Sequence, residues 1–177
     1  MPAIRTINLL GALAVGLADE MKATAERQAN QGGHEPAALC VIGHAPGLSI
    51  DTLRRVLGLS HPGAVRLVDR LAGAALVERR PAEDGRAVAL VLTRLGRSRV
   101  EAILAERGQV LTRALGTLTA RERAQLEELA EKMLRVLPRD LCHALSVCRY
   151  CMEATCTPCP IEEGLEARGI SPQSRSR

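Results

Sequence analysis

Residues 48–96 read LSIDTLRRVLGLSHPGAVRLVDRLAGAALVERRPAEDGRAVALVLTRLG. Ser49 stands where it can cap a helix running to Leu57, in which Ile50, Leu53, Val56 and Leu57 recur at the spacing of one inward face. Gly58 ends that helix, Leu59 packs the turn, and Ser60 caps a second helix over about 61–73. Two short helices joined by a tight glycine turn have the spacing of a helix-turn-helix. In the second helix Val65, Val68, Leu71 and Ala72 fall on one side of a 3.6-residue wheel. Pro62, Gly63, Arg66, Asp69 and Arg70 fall on the other. Small residues at its start let the backbone approach a partner closely, and Arg66 and Arg70 project together one turn apart. That surface suits a helix laid in a DNA major groove, where arginine reads guanine through paired hydrogen bonds. Ser60, His61, Gly63, Arg66 and Arg70 are the candidate contacts; the bland alternative is an ordinary solvated helix face.

The next residues favour the groove. Leu76 to Arg80 reads as a strand, and Pro81 to Gly85 as a turn containing Asp84-Gly85. Val88, Leu90 and Leu92 then alternate along a second strand ending at Thr93. A β-hairpin with an arginine-bearing tip directly after a helix-turn-helix is the order of a winged helix. The arginines at 54, 55, 66, 70, 79, 80, 86, 94, 97 and 99 face acids at 51, 69, 78, 83 and 84, a local excess of five positive charges. The whole chain carries +4, so its excess charge lies here.

This stretch resembles the winged helix of the MarR (multiple antibiotic resistance regulator) family. The matching pieces are the LGLS turn, the VRLVDRL recognition helix, the LVERR strand, Asp84-Gly85-Arg86 of the wing, and Leu92-Thr93-x-x-Gly96 opening the next helix. The resemblance implies a fold that is mostly α with a small β-hairpin wing, winged helix-turn-helix with a helical dimerisation region. It also implies that Arg86 enters the minor groove with Asp84 bracing it, which agrees with the enhanced negative potential of a narrow groove. A homodimer would be built from terminal helices, here about 7–29 and 95–137, around a winged helix at about 36–93. Thr119 and Glu122 form a capping box for the last of these, and Pro138 stops it. The His61-Pro62-Gly63-Ala64 start departs from the more polar start common in relatives, and the wing is about one residue shorter.

Composition narrows the partners. The 177 residues suit one domain with an appendage, and 46% hydrophobic content is enough for a core. With no Phe or Trp and a lone Tyr150, recognition of single strands or RNA loops by aromatic stacking is disfavoured. All but Lys22 and Lys132 of the 24 basic residues are arginine, the side chain suited to bidentate contacts. Residues 1–20 loosely resemble a signal peptide, but Leu9, Leu13, Leu17 and Met21 recur at four-residue steps, as in an amphipathic or buried helix. No stretch approaches a membrane span, so the setting expected is cytoplasmic.

In that setting clustered cysteines bind metal or do redox chemistry rather than form structural disulfides. Residues 148–160, CRYCMEATCTPCP, hold four of the six cysteines as C-x2-C-x4-C-x2-C. Cys148, Cys151, Cys156 and Cys159 can close a tetrahedral zinc site. They can equally hold an iron–sulfur cluster, since crowded cysteines ending in Cys-Pro mark ferredoxin-type runs, or form a metal-free thiol switch. Zinc is the first reading, because the spacings differ from ferredoxin patterns. The short spacer also differs from two-knuckle zinc sites, so the alternatives stay open. Cys142 and His143 are nearby spares, and Cys40 reads as a small buried hydrophobe. The division expected is a body over 1–147, a cysteine-rich metal-binding segment over 148–161 and a flexible polar tail over 162–177.

Three functions fit. The first is a homodimeric regulator of double-stranded operator DNA whose cysteine site is structural or sensory. The second is the same regulator answering to a small organic effector, with the cysteine site only a staple. The third is a metal or electron-transfer protein that uses the winged helix for protein contacts. An enzyme is not expected: the four His are scattered and four thiolates leave a zinc no open position.

Overall fold

The computed structural model describes residues 3–29, 33–81, 88–152 and 155–171. Among them run α1 (Ile4–Ala29), α2 (Glu35–His44), α3 (Ile50–Leu57), α4 (His61–Gly73), β1 (Val77–Pro81), β2 (Val88–Leu92), α5 (Arg94–Leu115), α6 (Ala120–Val136), α7 (Leu141–Cys148) and α8 (Pro160–Glu166). The fold is mostly α with one antiparallel hairpin, as the sequence leads one to expect.

Helix boundaries follow their caps. Ser49 accepts from the Thr52 N–H at 3.1 Å, Ser60 from Gly63 at 3.2 Å, and Thr93 from Gly96 at 2.9 Å. Gly58 ends α3 at φ +66, a left-handed conformation glycine adopts without penalty. At α6 the capping box closes in both directions, Thr119 with Glu122.

The core gathers around α2, whose residues from Pro36 to Ile42 are all buried. Leu39 and Ile42 share it with Leu53 and Val56 of α3, Leu67, Val68 and Leu71 of α4, Leu90 of β2 and Ile103 of α5. The inward face of α4 is Ala64, Leu67, Val68 and Leu71, whereas Val65 and Ala72 are only half-buried. The wheel is thus rotated from the expected one, because α4 packs between α3 and β1 and turns its Ala64–Leu67 side toward the core.

β1 pairs with β2 from Val77↔Leu92 to Pro81↔Val88. Leu90 also bonds the backbone of Gly47 and Leu48, at 2.8 and 3.0 Å, so the turn before α3 borders the hairpin as a third short strand would. The start of α5 is pressed onto the start of β1. A Cβ at Gly96 would lie 2.0 Å from the Leu76 carbonyl oxygen, and the Thr93 hydroxyl donates to the Ala75 carbonyl at 2.7 Å.

α1 lies along α5. Its Leu9 and Leu13 are 57% and 53% exposed in the single chain. α6 buries none of its residues and packs on α8, leaving Leu129 and Met133 to solvent.

Two expectations about the C-terminus are corrected. The tail expected to fray from residue 162 is helical through Glu166 and packed onward to Ile170. Pro160 opens α8, and Ile161 and Leu165, one turn apart, are buried against Ala144 and Cys148. α8 crosses α6 so closely that a Cβ at Gly164 would meet the Arg135 carbonyl oxygen at 2.1 Å. Arg135 holds Glu163 at 2.6 Å and Glu131 at 3.1 Å. Nor does the body end at 147. Opposite faces of α7 serve different cores: Cys142 and Leu145 join the main one, while Ala144 and Cys148 join the small one with α8. Residues 172–177 lie outside the described residues.

Candidate nucleic-acid interface and cysteine segment

α4 presents His61, Pro62, Arg66, Asp69 and Arg70 to solvent. Ser60 is exposed but its Oγ is engaged as the helix cap, and a Cβ added at Gly63 would lie 3.1 Å from that oxygen. The start of α4 is therefore a low surface where backbone can approach a partner, its Gly63 and Ala64 N–H groups held by the Ser60 cap.

The two arginines singled out by spacing are not equivalent. Arg70 Nε donates to Glu35 Oε1 at 2.8 Å, and the Glu35 side chain is only 5% exposed. That ion pair ties α4 to the start of α2. Among the described residues no acid pairs with Arg66, whose side chain is left to face outward. Asp69, in turn, pairs with Arg79 of β1 at 2.6 Å, joining α4 to the hairpin. Arg54 and Arg55 both hold Asp51 at 2.8 Å. The hydrogen bond from Arg54 is the main cause of a lowered Asp51 pKa, reinforced by the charge of Arg55. Arg80 pairs with Glu78 at 2.8 Å. Much of the positive excess thus fixes neighbouring elements, and among the described residues Arg66 is the cation of α4 left without an acidic partner. Asp84 and Arg86, at the wing, lie outside the described residues.

No disulfide joins any of the six cysteines. Cys148 is buried at the end of α7, and the Cys151 N–H donates to its carbonyl at 2.8 Å, making a tight turn. Cys151 and Cys159 pack with Cys148 in the small core. Cys156 lies near Cys159 and Cys151, and burial, then the proximity of those two thiols, pushes its pKa up. The four sulfurs are brought into one neighbourhood, but among the described residues no group of three or more His, Cys, Asp or Glu side chains is arranged as a ready metal site. The spares have other uses. Cys142 packs on the main core, and His143 Nδ1 accepts from the Arg139 N–H at 3.3 Å. Cys40 is fully buried, its pKa pushed up to about 12 by desolvation.

Two residues that sequence reasoning passed over connect these regions. His44, at the end of α2, donates from Nε2 to the Arg149 carbonyl at 3.1 Å. Tyr150 packs against the main core beside Cys40, and burial raises its pKa to about 12.

Residues 33–87 match the family model described as MarR family. Over those residues the winged helix is similar to that of the MarR family. The fold is that of MarR-family transcriptional regulators: it is similar to apo MarR from E. coli, 28% identical, with 71% of this chain and 96% of that one covered at TM-score 0.58. It is similar in fold to RV1404 from Mycobacterium tuberculosis, 22% identical, covering 75% of this chain and 93% of that one at TM-score 0.64. A mutant of S. aureus MepR bound to an oligodeoxyribonucleotide shares the fold at 18% identity and TM-score 0.55, covering 75% of this chain and 98% of that one. No curated protein matches the sequence. Among the described residues no helix is long and apolar enough to cross a membrane.

Proposed function

We propose that the chain is a cytoplasmic, sequence-specific regulator of transcription that binds double-stranded operator DNA as a homodimer. The observation that carries this reading is the exposed face of α4, with Arg66 unpaired among the described residues beside the low surface of His61, Pro62 and Gly63. Arg66 is positioned to read a base edge, Arg70 holds the helix in place through Glu35, and the Ser60-capped start approaches phosphate. Arg86 reaches the minor groove from the wing with Asp84 bracing it.

The dimer is supported by apolar faces left bare in one chain. Ile4, Ile7, Leu10 and Leu13 on α1, and Leu126, Leu129 and Met133 on α6, are exposed. Contiguous apolar surface of this kind marks an interface. Two-fold pairing sets the recognition helices on half-sites roughly one helical turn apart, about 10 bp. Selecting bound duplexes from a random pool tests this: a pseudo-palindrome with that spacing supports it, and recovery of unrelated sequences refutes it.

The cysteine segment is read as a soft-metal centre, zinc ahead of an iron–sulfur cluster, held by Cys148, Cys151, Cys156 and Cys159. The donor set fits: besides burial, the neighbouring Cys159 and Cys151 disfavour the Cys156 thiolate, a repulsion that a cation relieves. A bound metal would supply cross-linking of the segment, whose own core has few buried side chains. Zinc would be colourless and released by thiol modification, whereas a cluster would be brown and contain iron and sulfide. Protein isolated without oxygen and holding neither metal leaves a thiol switch.

A crevice of about 400 Å³ favours a second reading, a small organic effector. It lies between α1, α3 and the end of α7, lined by Met21, Lys22, His34, Leu57, Arg149 and Tyr150. If an effector is what regulates DNA binding, cysteine variants keep normal operator affinity and substitutions in the crevice change it.

A further inference from the structure

The cysteine segment meets the winged helix through Arg149 and Tyr150, the two residues enclosed by the first cysteine pair. The Arg149 carbonyl accepts the bond from His44 at the end of α2, and Tyr150 packs with Leu145 and Cys142 against the main core. α7, which ends at Cys148, lies on α3, the helix that leads directly into α4. On its other side the same turn carries Cys148 and Cys151 into the small core with Cys159 and α8. The bond from the Cys151 N–H to the Cys148 carbonyl, 2.8 Å, closes the turn, so its sulfurs and its docked residues move together.

We propose that the Cys148–Cys151 turn is a coupling element, through which the state of the cysteine centre is read by the helix-turn-helix via Arg149 and Tyr150. This rests on the metal-binding reading above and adds its route of regulation. A soft divalent cation bound by the four thiolates fixes the backbone of the turn that presents Arg149 to His44 and Tyr150 to the core. Fixing that turn holds α7 on α3, and α3 sets the angle at which α4 leaves the domain. With the cation gone, the turn relaxes and α7 is held by side-chain packing alone. The crevice shares Arg149 and Tyr150, so its shape follows the same turn. Linkage makes the effect reciprocal: operator DNA changes the affinity of the segment for the cation by the same factor that the cation changes affinity for DNA.

The test uses full-length protein and zinc alone as the probe. Zinc uptake is titrated against a chromophoric chelator under reducing, oxygen-free conditions, and operator affinity is measured by fluorescence anisotropy with zinc-loaded and zinc-stripped protein. Wild type takes up one equivalent, and the two affinities differ about 5–150-fold. Tyr150→Ala takes up zinc equally well, but its two affinities lie within about twofold of each other. His44→Ala, which removes no core side chain, gives the same loss of coupling and keeps the test decisive if Tyr150→Ala folds poorly. Coupling that survives intact in both variants overturns the route. Wild type that binds zinc without any change in operator affinity overturns regulation by this segment and leaves the metal reading standing. Wild type that takes up no zinc overturns the zinc reading and, with it, this route.

Discussion

The winged helix and the cysteine segment are held by different means. In the first, Leu39, Ile42, Leu53, Leu67, Leu71 and Leu90 are all buried to within 2% and drawn from α2, α3, α4 and β2. Each such side chain contributes about 1.5–3 kcal/mol on burial, enough together to fix a unique arrangement. In the second, the buried set is Ala144, Cys148, Ile161 and Leu165, of which only two are large. What the small core lacks in apolar area is made up by specific contacts: the Arg135–Glu163 pair at 2.6 Å, the Arg168 bond to the Val136 carbonyl at 2.9 Å, and the seat of Gly164 on Arg135. A region held so sparingly is one that ligation or oxidation of its thiols can move, whereas the winged helix is held rigidly by its core.

Two glycines offer the sharpest break between the regions. Gly96→Ala puts a methyl 2.0 Å from the Leu76 carbonyl, where backbone must shift, and is expected to cost about 3 kcal/mol with loss of operator binding. Gly164→Ala makes a like clash at 2.1 Å but inside the C-terminal unit. Hydrogen exchange is expected to speed up over α8 and the cysteine segment, with α2 to α4 still protected. If Gly164→Ala instead destabilises the whole chain as Gly96→Ala does, the two regions form one cooperative unit and the contrast fails.

Next in size are the two arginines of α4. Arg66→Ala is expected to weaken operator binding by about 1–3 kcal/mol and relax preference at one base position, with thermal stability unchanged. Arg70→Ala removes the ion pair of a buried carboxylate, so stability falls by about 1–2 kcal/mol, discounted because Arg70 itself is half exposed. Operator and random-duplex affinities then fall together. A base-specific defect in Arg70→Ala, with stability intact, would reverse the assignment.

Arg86→Ala is expected to lower affinity for every duplex and reduce the dependence on salt by about one counterion, and Asp84→Ala to do so less. Wild-type binding by both variants would mean that the wing does not reach the groove.

The smallest effect shows only at alkaline pH. Cys40 keeps its proton to about 12 in the folded chain against an ordinary 9.0, and Tyr150 to about 12 against 10.0. The unfolded chain releases these protons first, so their contribution to stability is complete below pH 9 and is lost as pH rises toward 12. Melting temperature followed over that interval is expected to fall less steeply for Cys40→Ala than for wild type; parallel curves would show that the Cys40 thiol is not buried as described.

The sequence made most of the winged helix legible because its signals are local. Ser49, Ser60 and Thr93 announce their helices within three residues, and alternation along Val88, Leu90 and Leu92 announces the strand. The pairing of Arg70 with Glu35, 35 residues away, was hidden because it depends on how α2 and α4 are brought together. The same holds for His44 with Arg149 across 105 residues. α8 was missed for another reason: its two apolar side chains stand among three acids and a glycine, and the Pro160 start and the Ile161–Leu165 spacing are faint beside so polar a composition. Of the candidate DNA contacts on α4, His61, Arg66 and Arg70 lie on its exposed face, but spacing alone could not show that Arg70 is tied to Glu35.

Whether the exposed face of α4 reads duplex DNA is tested by affinity for a selected pseudo-palindromic duplex and for random duplex across a series of salt concentrations. A reading α4 requires two protomers per site, binding to the selected duplex about a thousandfold or more tighter than to random DNA, and log affinity that falls linearly with log salt. Equal affinity for both duplexes, or binding indifferent to salt, would contradict it and turn the winged helix into a surface for protein contacts.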